Sequence, residues 1–161
     1  MPLGAVKVGL FAAAGAAGGA AAAGYFGGGL AGGYVTTVDK FAFSDDTRST
    51  LGTGLSVGRY LVAGMANSGT AGYVGGGSPS GGAVVDKFAF SDDTRSTLGT
   101  GLSAATYGLA AMANSGTAGY FGGGYVSGDV TTVDKFAFSD DTRSTLGTGL
   151  SAARRYLAGM A

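Results

Sequence analysis

The sequence has no cysteine, histidine, tryptophan, glutamate, glutamine or isoleucine, and only two of its 161 residues are proline. Without cysteine there are no disulfides, so the redox compartment is not legible from them. Without histidine or cysteine there is no imidazole base, thiolate nucleophile or soft-metal site. Charge is scarce as well. Charged residues make up 12% of the chain, their formal sum is zero, and ten aspartates supply all the acidic side chains. No basic patch is available to attract a phosphate backbone, so nucleic acid is not an expected partner. Asn67 and Asn114 stand in Asn-Ser-Gly, which is not the N-glycan acceptor pattern. Most of the aspartates recur identically from copy to copy, whereas a catalytic centre gathers different groups onto one atom. The chain is therefore not expected to be an enzyme, and no catalytic residue, cofactor or metal ligand is assigned.

Long apolar runs are scarce too. Val8 to Ala23 is an Ala/Gly-rich stretch behind the single Lys7. It is too interrupted by glycine to span a membrane. Residues 1–17 read as a degenerate strand at the edge of the repeats. The competing reading is a weak secretory signal with Gly15-Ala16-Ala17 as its cleavage site.

What the chain does have is glycine, 34 residues of it, and repetition. The segment VDKFAFSDDTRSTLGTGLS occurs identically at Val38–Ser56, Val85–Ser103 and Val133–Ser151. MANSGTAGY recurs at Met65–Tyr73 and Met112–Tyr120, and GYFGGG or GYVGGG begins at Gly24, Gly72 and Gly119. The period is about 48 residues, which divides 18–161 into three tandem repeats at approximately 18–65, 66–112 and 113–161. Register slips by one residue in the linker SPSGGAV, as a surface loop allows and a paired strand does not.

Within one repeat the pattern predicts four short strands: Arg59–Ala66, Ala71–Gly77, Val84–Phe90 and Ser96–Leu102. The turns NSGT and SDDT separate them, carrying residues that tolerate positive φ or hydrogen-bond their own backbone. Phe88 and Phe90 share one face at period two. This spacing of strands and turns predicts an all-β architecture, and the glycine content opposes helix. In the triple glycines, Gly27-Gly28, Gly75-Gly76 and Gly122-Gly123 are expected to sit where sheets converge, since strand glycines are otherwise weakening. A phosphate loop needs a strand feeding a helix with Lys-Ser/Thr, which does not follow here.

The pieces YFGGG, VDKF and the arginine of GRYL or RRYL resemble the kelch-type β-propeller repeat, from about Gly18 onward. They are similar to glycine-rich, YFGGG-containing kelch-like arrays of bacteriophage virion and environmental microbial proteins. Leu51, Leu98 and Leu146 stand where that family carries Trp, and Thr106 replaces the arginine in the middle copy. The resemblance implies tandem four-stranded blades and an extracellular or virion location.

Propellers ordinarily close with four to eight blades. Three repeats plus one extra strand, Tyr156–Ala161, leave an apolar face at each end that needs a cover. The expected function is a non-enzymatic structural repeat that joins copies of itself, or other assembly proteins, in a ring, fibre or larger assembly. Tyr156, Leu157 and Met160 are the expected self-association residues, pairing as a free edge strand. The alternative is a ligand- or glycan-binding module. Asp45-Asp46, Asp92-Asp93 and Asp140-Asp141 are read as hydrogen-bonded turns near arginine, in preference to calcium ligands. The Asp39-Lys40 pairs are expected on exposed strand faces, and the repeated Tyr and Phe in packing between blades.

Overall fold

The computed structural model describes residues 11–12, 22–79 and 82–161. The expectations for residues 1–17 lie outside them except at Phe11 and Ala12. The fold is all-β, and among the described residues there is no helix. The strands are β1 (Phe11–Ala12), β2 (Ala23–Gly27), β3 (Val38–Ala42), β4 (Arg48–Thr50), β5 (Arg59–Tyr60), β6 (Ala63–Asn67) and β7 (Ala71–Gly75). They continue as β8 (Ser78–Pro79), β9 (Val85–Ala89), β10 (Arg95–Thr97), β11 (Ala110–Asn114), β12 (Ala118–Gly122), β13 (Val133–Ala137) and β14 (Arg143–Thr145).

They assemble into three antiparallel four-stranded sheets, ordered β1-β2-β3-β4, β6-β7-β9-β10 and β11-β12-β13-β14, with β5 and β8 forming a separate two-stranded pair. Each sheet takes three strands from one copy of the repeat, while β1 precedes residue 18 and β6 and β11 straddle the boundaries at 65/66 and 112/113. β6 and β11 each pair over five residues with the next strand, and among the described residues β1 pairs Phe11 with Tyr25 and Ala12 with Gly24.

Three sequence expectations need correction. The predicted strand Arg59–Ala66 is broken after Tyr60, because Leu61 takes φ 57° and turns the chain; Gly108 and Tyr156 take φ 64° and 57° at the equivalent places. The strands predicted to run to Gly77 and Leu102 stop at Gly75 and Thr97. The second glycine of each triple adopts φ between 66° and 73°, which no extended strand accommodates. Finally, Tyr156–Ala161 forms no strand. The N–H of Tyr156 donates to the Gly108 carbonyl at 2.7 Å, and Gly159 lies against the backbone of Ala111. No strand like β7 or β12 stands beside 158–161 among the described residues, so their backbone has no ladder to join.

Two apolar cores lie between consecutive sheets. The first joins Ala23, Tyr25, Val38 and Leu55 to Val74 and Phe88. The second joins Met65, Tyr73, Val85 and Leu102 to Phe121, Phe136 and Phe138. Strand alternation makes this possible: Val74 faces the first sheet, and its neighbours Tyr73 and Gly75 face the third. The middle sheet is thus apolar on both faces, and every residue from Ala71 to Gly77 is buried.

Each glycine triplet packs closely against other parts of the chain. A Cβ on Gly28, Gly76 or Gly123 would stand 2.7 Å from the carbonyl oxygen of Arg59, Thr106 or Arg154 respectively. The glycine one residue further on donates its N–H to that same oxygen at 2.9 Å in all three copies. Gly75 takes the Phe121 ring at 2.7 Å from the place its Cβ would fill, while Gly27 and Gly122 face their own Val38 and Val133.

Gly76→Ala is expected to destabilise the fold by about 1–2 kcal/mol for the left-handed backbone, plus about 1–3 kcal/mol for overpacking against Leu109. Gly99→Ala, where the added Cβ meets nothing within 4 Å, should shift stability by less than about 0.5 kcal/mol. Denaturant midpoints of the two variants make the comparison.

Candidate assembly interface

The hydrophilic residues with the most organised surroundings lie at the junctions between sheets, and the same chemistry appears at each junction. The aspartate of VDKF sits on the third strand of a sheet and is claimed from two sides. Asp86 Oδ1 accepts from Thr97 Oγ1 at 2.8 Å, within its own hairpin. Its Oδ2 accepts from the Ser56 N–H and hydroxyl, both at 2.9 Å, and from Arg59 Nη2 at 2.8 Å, all supplied by the preceding repeat. Asp134 repeats the arrangement: Thr145 Oγ1 at 2.6 Å on Oδ1, and Ser103 N–H and hydroxyl at 2.7 and 2.8 Å on Oδ2. Thr106 stands where Arg59 does and brings no cation.

The expected exposure of the Asp-Lys pairs is therefore wrong for Asp86 and Asp134: Asp86 and Arg59 are fully buried and Asp134 nearly so, while Asp39 is partly exposed. A carboxylate can be buried there because each oxygen has donors. Burial pulls the Arg59 guanidinium below the usual arginine range, and the Asp86 charge opposes that shift.

A second contact uses the SDDT turn. Its first aspartate behaves as the sequence suggests. Asp45, Asp92 and Asp140 accept the N–H and hydroxyl of the threonine two residues on, which holds their carboxyls below the usual range. The second aspartate does something else. Held at φ near 60°, it reaches the preceding sheet. Asp93 accepts Tyr25 Oη and Lys40 Nζ, each at 2.7 Å, and Asp141 accepts Tyr73 Oη at 2.7 Å and Lys87 Nζ at 2.6 Å. The two carboxylates of a pair thus serve different partners. Among the described residues, no three acidic side chains gather to hold a metal ion.

Aromatic stacking completes each junction. Tyr25 lies on Phe90 at 5.2 Å between centroids and Tyr73 on Phe138 at 5.3 Å, the inter-sheet packing expected of these rings. Magnitudes separate the roles. A half-exposed Lys–Asp pair contributes about 0–1 kcal/mol, whereas one stacked pair adds about 0.5–1.5 kcal/mol beyond its buried area. The apolar core holds the sheets together, and the aspartates fix their offset.

Of the expected self-association residues, Tyr156 and Met160 are exposed and Leu157 is half-buried, close to Gly123. The sequence reading missed Ser56, Ser103 and the second aspartate of each turn. A usable signal existed for the serines, which are identical in all copies although neither strand nor turn chemistry demands them. Among the described residues no helix is long and apolar enough to cross a membrane, which says nothing of a β-barrel. No protein-family model matches the chain, and no curated protein matches it either.

Asp86→Ala, which strands Arg59 in the interior, should cost about 3–5 kcal/mol, and Asp39→Ala, on the open first sheet, much less. Chemical denaturation reads the difference. Alkali supplies a second test. Burial and the bonds to Asp93 and Asp141 push the Tyr25 and Tyr73 phenols above their ordinary value of 10.0, and Asp93 raises Lys40 likewise. Raised values mean that this stabilisation is intact below about pH 10 and is lost as pH climbs further. Stability should fall above that pH, and Tyr73→Phe should remove one late-titrating phenol from the tyrosinate absorbance curve.

Proposed function

We propose that this chain is a non-enzymatic structural repeat protein, kelch-like in its repeat plan, that associates with copies of itself. The observation that carries the reading is the contrast between inner and outer sheet faces. Where two sheets meet, Tyr73, Val74, Phe121 and Phe136 are at most 2% exposed. On the outer face of the first sheet, Phe26 and Phe43 are 45% and 44% exposed, and Met112 on the third sheet is 43% exposed. Phe43 is the counterpart of Phe90 and Phe138, Phe26 of Val74 and Phe121, and Met112 of Met65, all of which are covered or stacked inside. Apolar residues that a repeat buries at every inner junction and exposes at the outer ones mark an interaction face. A heterologous contact between such faces generates a ring if its rotation closes and a filament if it does not.

Sedimentation velocity of the purified chain at micromolar concentration should show species heavier than the 15.5 kDa monomer. Deleting Tyr156–Ala161 should lower the assembly state while leaving the β-sheet circular dichroism intact. A folded, stable monomer of the parent chain would overturn the reading.

A further inference from the structure

Each inner junction is made of two unlike halves, and one unmatched half stands at each end of the described structure. The leading repeat offers donors: a tyrosine, a lysine and a serine, with an arginine added in the first copy. The following repeat offers acceptors: the VDKF aspartate and the second aspartate of SDDT. In the third repeat the donors are Tyr120, Lys135, Ser151 and Arg154. Among the described residues none of their side chains makes a hydrogen bond or ion pair. In the first repeat Asp39 Oδ1 is held by Arg48 and Thr50, as in the other copies, while no described residue donates to its Oδ2. Asp46 likewise has no side-chain partner among the described residues, and Phe43 beside it is open.

We infer that a second copy of this chain docks head to tail, its first sheet against the third sheet of its neighbour, so that both halves are filled. The inference rests on the self-association reading and specifies its contacts. Tyr120 and Lys135 of one copy reach Asp46 of the next, with Tyr120 stacking on Phe43. Ser151 and Arg154 reach Asp39. Each contact has an inner precedent: Tyr25 and Lys40 on Asp93 at 2.7 Å, and Ser56 and Arg59 on Asp86 at 2.8–2.9 Å. The charges match, since two cations meet two carboxylates. Arg154 is also already seated for the role. Its carbonyl accepts the Gly124 N–H at 2.9 Å, as Arg59 accepts Gly29 and Thr106 accepts Gly77.

The same register decides what becomes of the terminal segment. Counting from Arg59 and Arg154, Met160 corresponds to Met65 and Ala161 to Ala66. Met65 and Ala66 pair with Tyr73 and Gly72 in the middle sheet. In the docked pair Met160 and Ala161 therefore stand opposite Tyr25 and Gly24 of the next copy, the places held by Phe11 and Ala12. Strand addition by a neighbouring copy therefore competes for the pairing that Phe11 and Ala12 make at that edge.

The test uses two full-length variants. A head variant, Asp39→Asn with Asp46→Gly, loses the acceptors while keeping a residue suited to positive φ. A tail variant, Lys135→Asp with Arg154→Asp, sets two carboxylates against Asp46 and Asp39, where like charges oppose docking. In sedimentation velocity the parent should be oligomeric and each variant alone monomeric. An equimolar mixture should form a dimer and nothing larger, because only one intact head and one intact tail remain. That rescue also shows both variants to be folded. Variants that assemble like the parent, or a mixture that stays monomeric, would overturn this junction while leaving self-association standing. A monomeric parent would remove both.

Discussion

A carboxylate moved out of water needs a hydrogen-bond donor for each oxygen, and in this protein a single repeat cannot supply them all. Asp86 and Asp134 take one set of donors from their own hairpin and the other from the repeat before. The offset between consecutive sheets follows from that division. If the sheets slid by one residue, a buried aspartate would lose its serine, at the cost of an unpaired charge in an apolar interior. Hydrophobic burial brings the sheets together but is indifferent to sliding. The directional bonds select one arrangement from the many that would bury similar area.

The backbone imposes a second constraint of the same kind. At Gly28, Gly76 and Gly123 the chain turns left-handed and presses onto a carbonyl near the end of the same repeat. The partner atom is a main-chain oxygen, so the partner residue is free to vary, and it is Arg59, Thr106 and Arg154 in turn. This explains how the middle copy dispenses with the arginine: the carbonyl carries the contact, and the guanidinium adds a bond to Asp86 that Asp134 does without.

The all-β class and the turns were legible in the sequence because they depend on local chemistry. SDDT between apolar runs and alternating phenylalanines each state their own conformation, whereas the left-handed turn at Gly76 read as continued strand. The sharing of Asp86 and Asp93 between repeats was not legible. A repeat tells which residues recur but not which copy holds the partner, so Asp93 read as a turn residue and Asp86 as a surface one. Register at the arginine was hidden for a similar reason. Matching letters align Arg155-Tyr156 with Arg59-Tyr60, whereas the positive φ at Leu61, Gly108 and Tyr156 aligns Arg154 with Arg59. Leucine and tyrosine in a left-handed conformation give no signal in the sequence, because tertiary contacts impose it.

The pattern of identity among copies follows from the same geometry. A junction with unlike halves requires every inner repeat to present both, so residues for donating and for accepting must occur together in each copy. The invariant VDKFAFSDDTRSTLGTGLS holds the lysine, both aspartates and the serine. Its last glycine is held by a contact at the other end of the linker: a Cβ on Gly54, Gly101 or Gly149 would strike the carbonyl of Thr36, Ala83 or Thr131. The leucine after it donates its N–H to that carbonyl, at 2.7, 2.7 and 2.8 Å. The glycine cannot change, but the residue offering the oxygen can, and alanine replaces threonine in the middle copy without altering the bond. Apart from Arg59 and Val74, whose places Thr106 and Phe121 take, side chains that meet other side chains across a junction are fixed, while linker residues that offer only their backbone drift. The linker is accordingly where the three copies differ most.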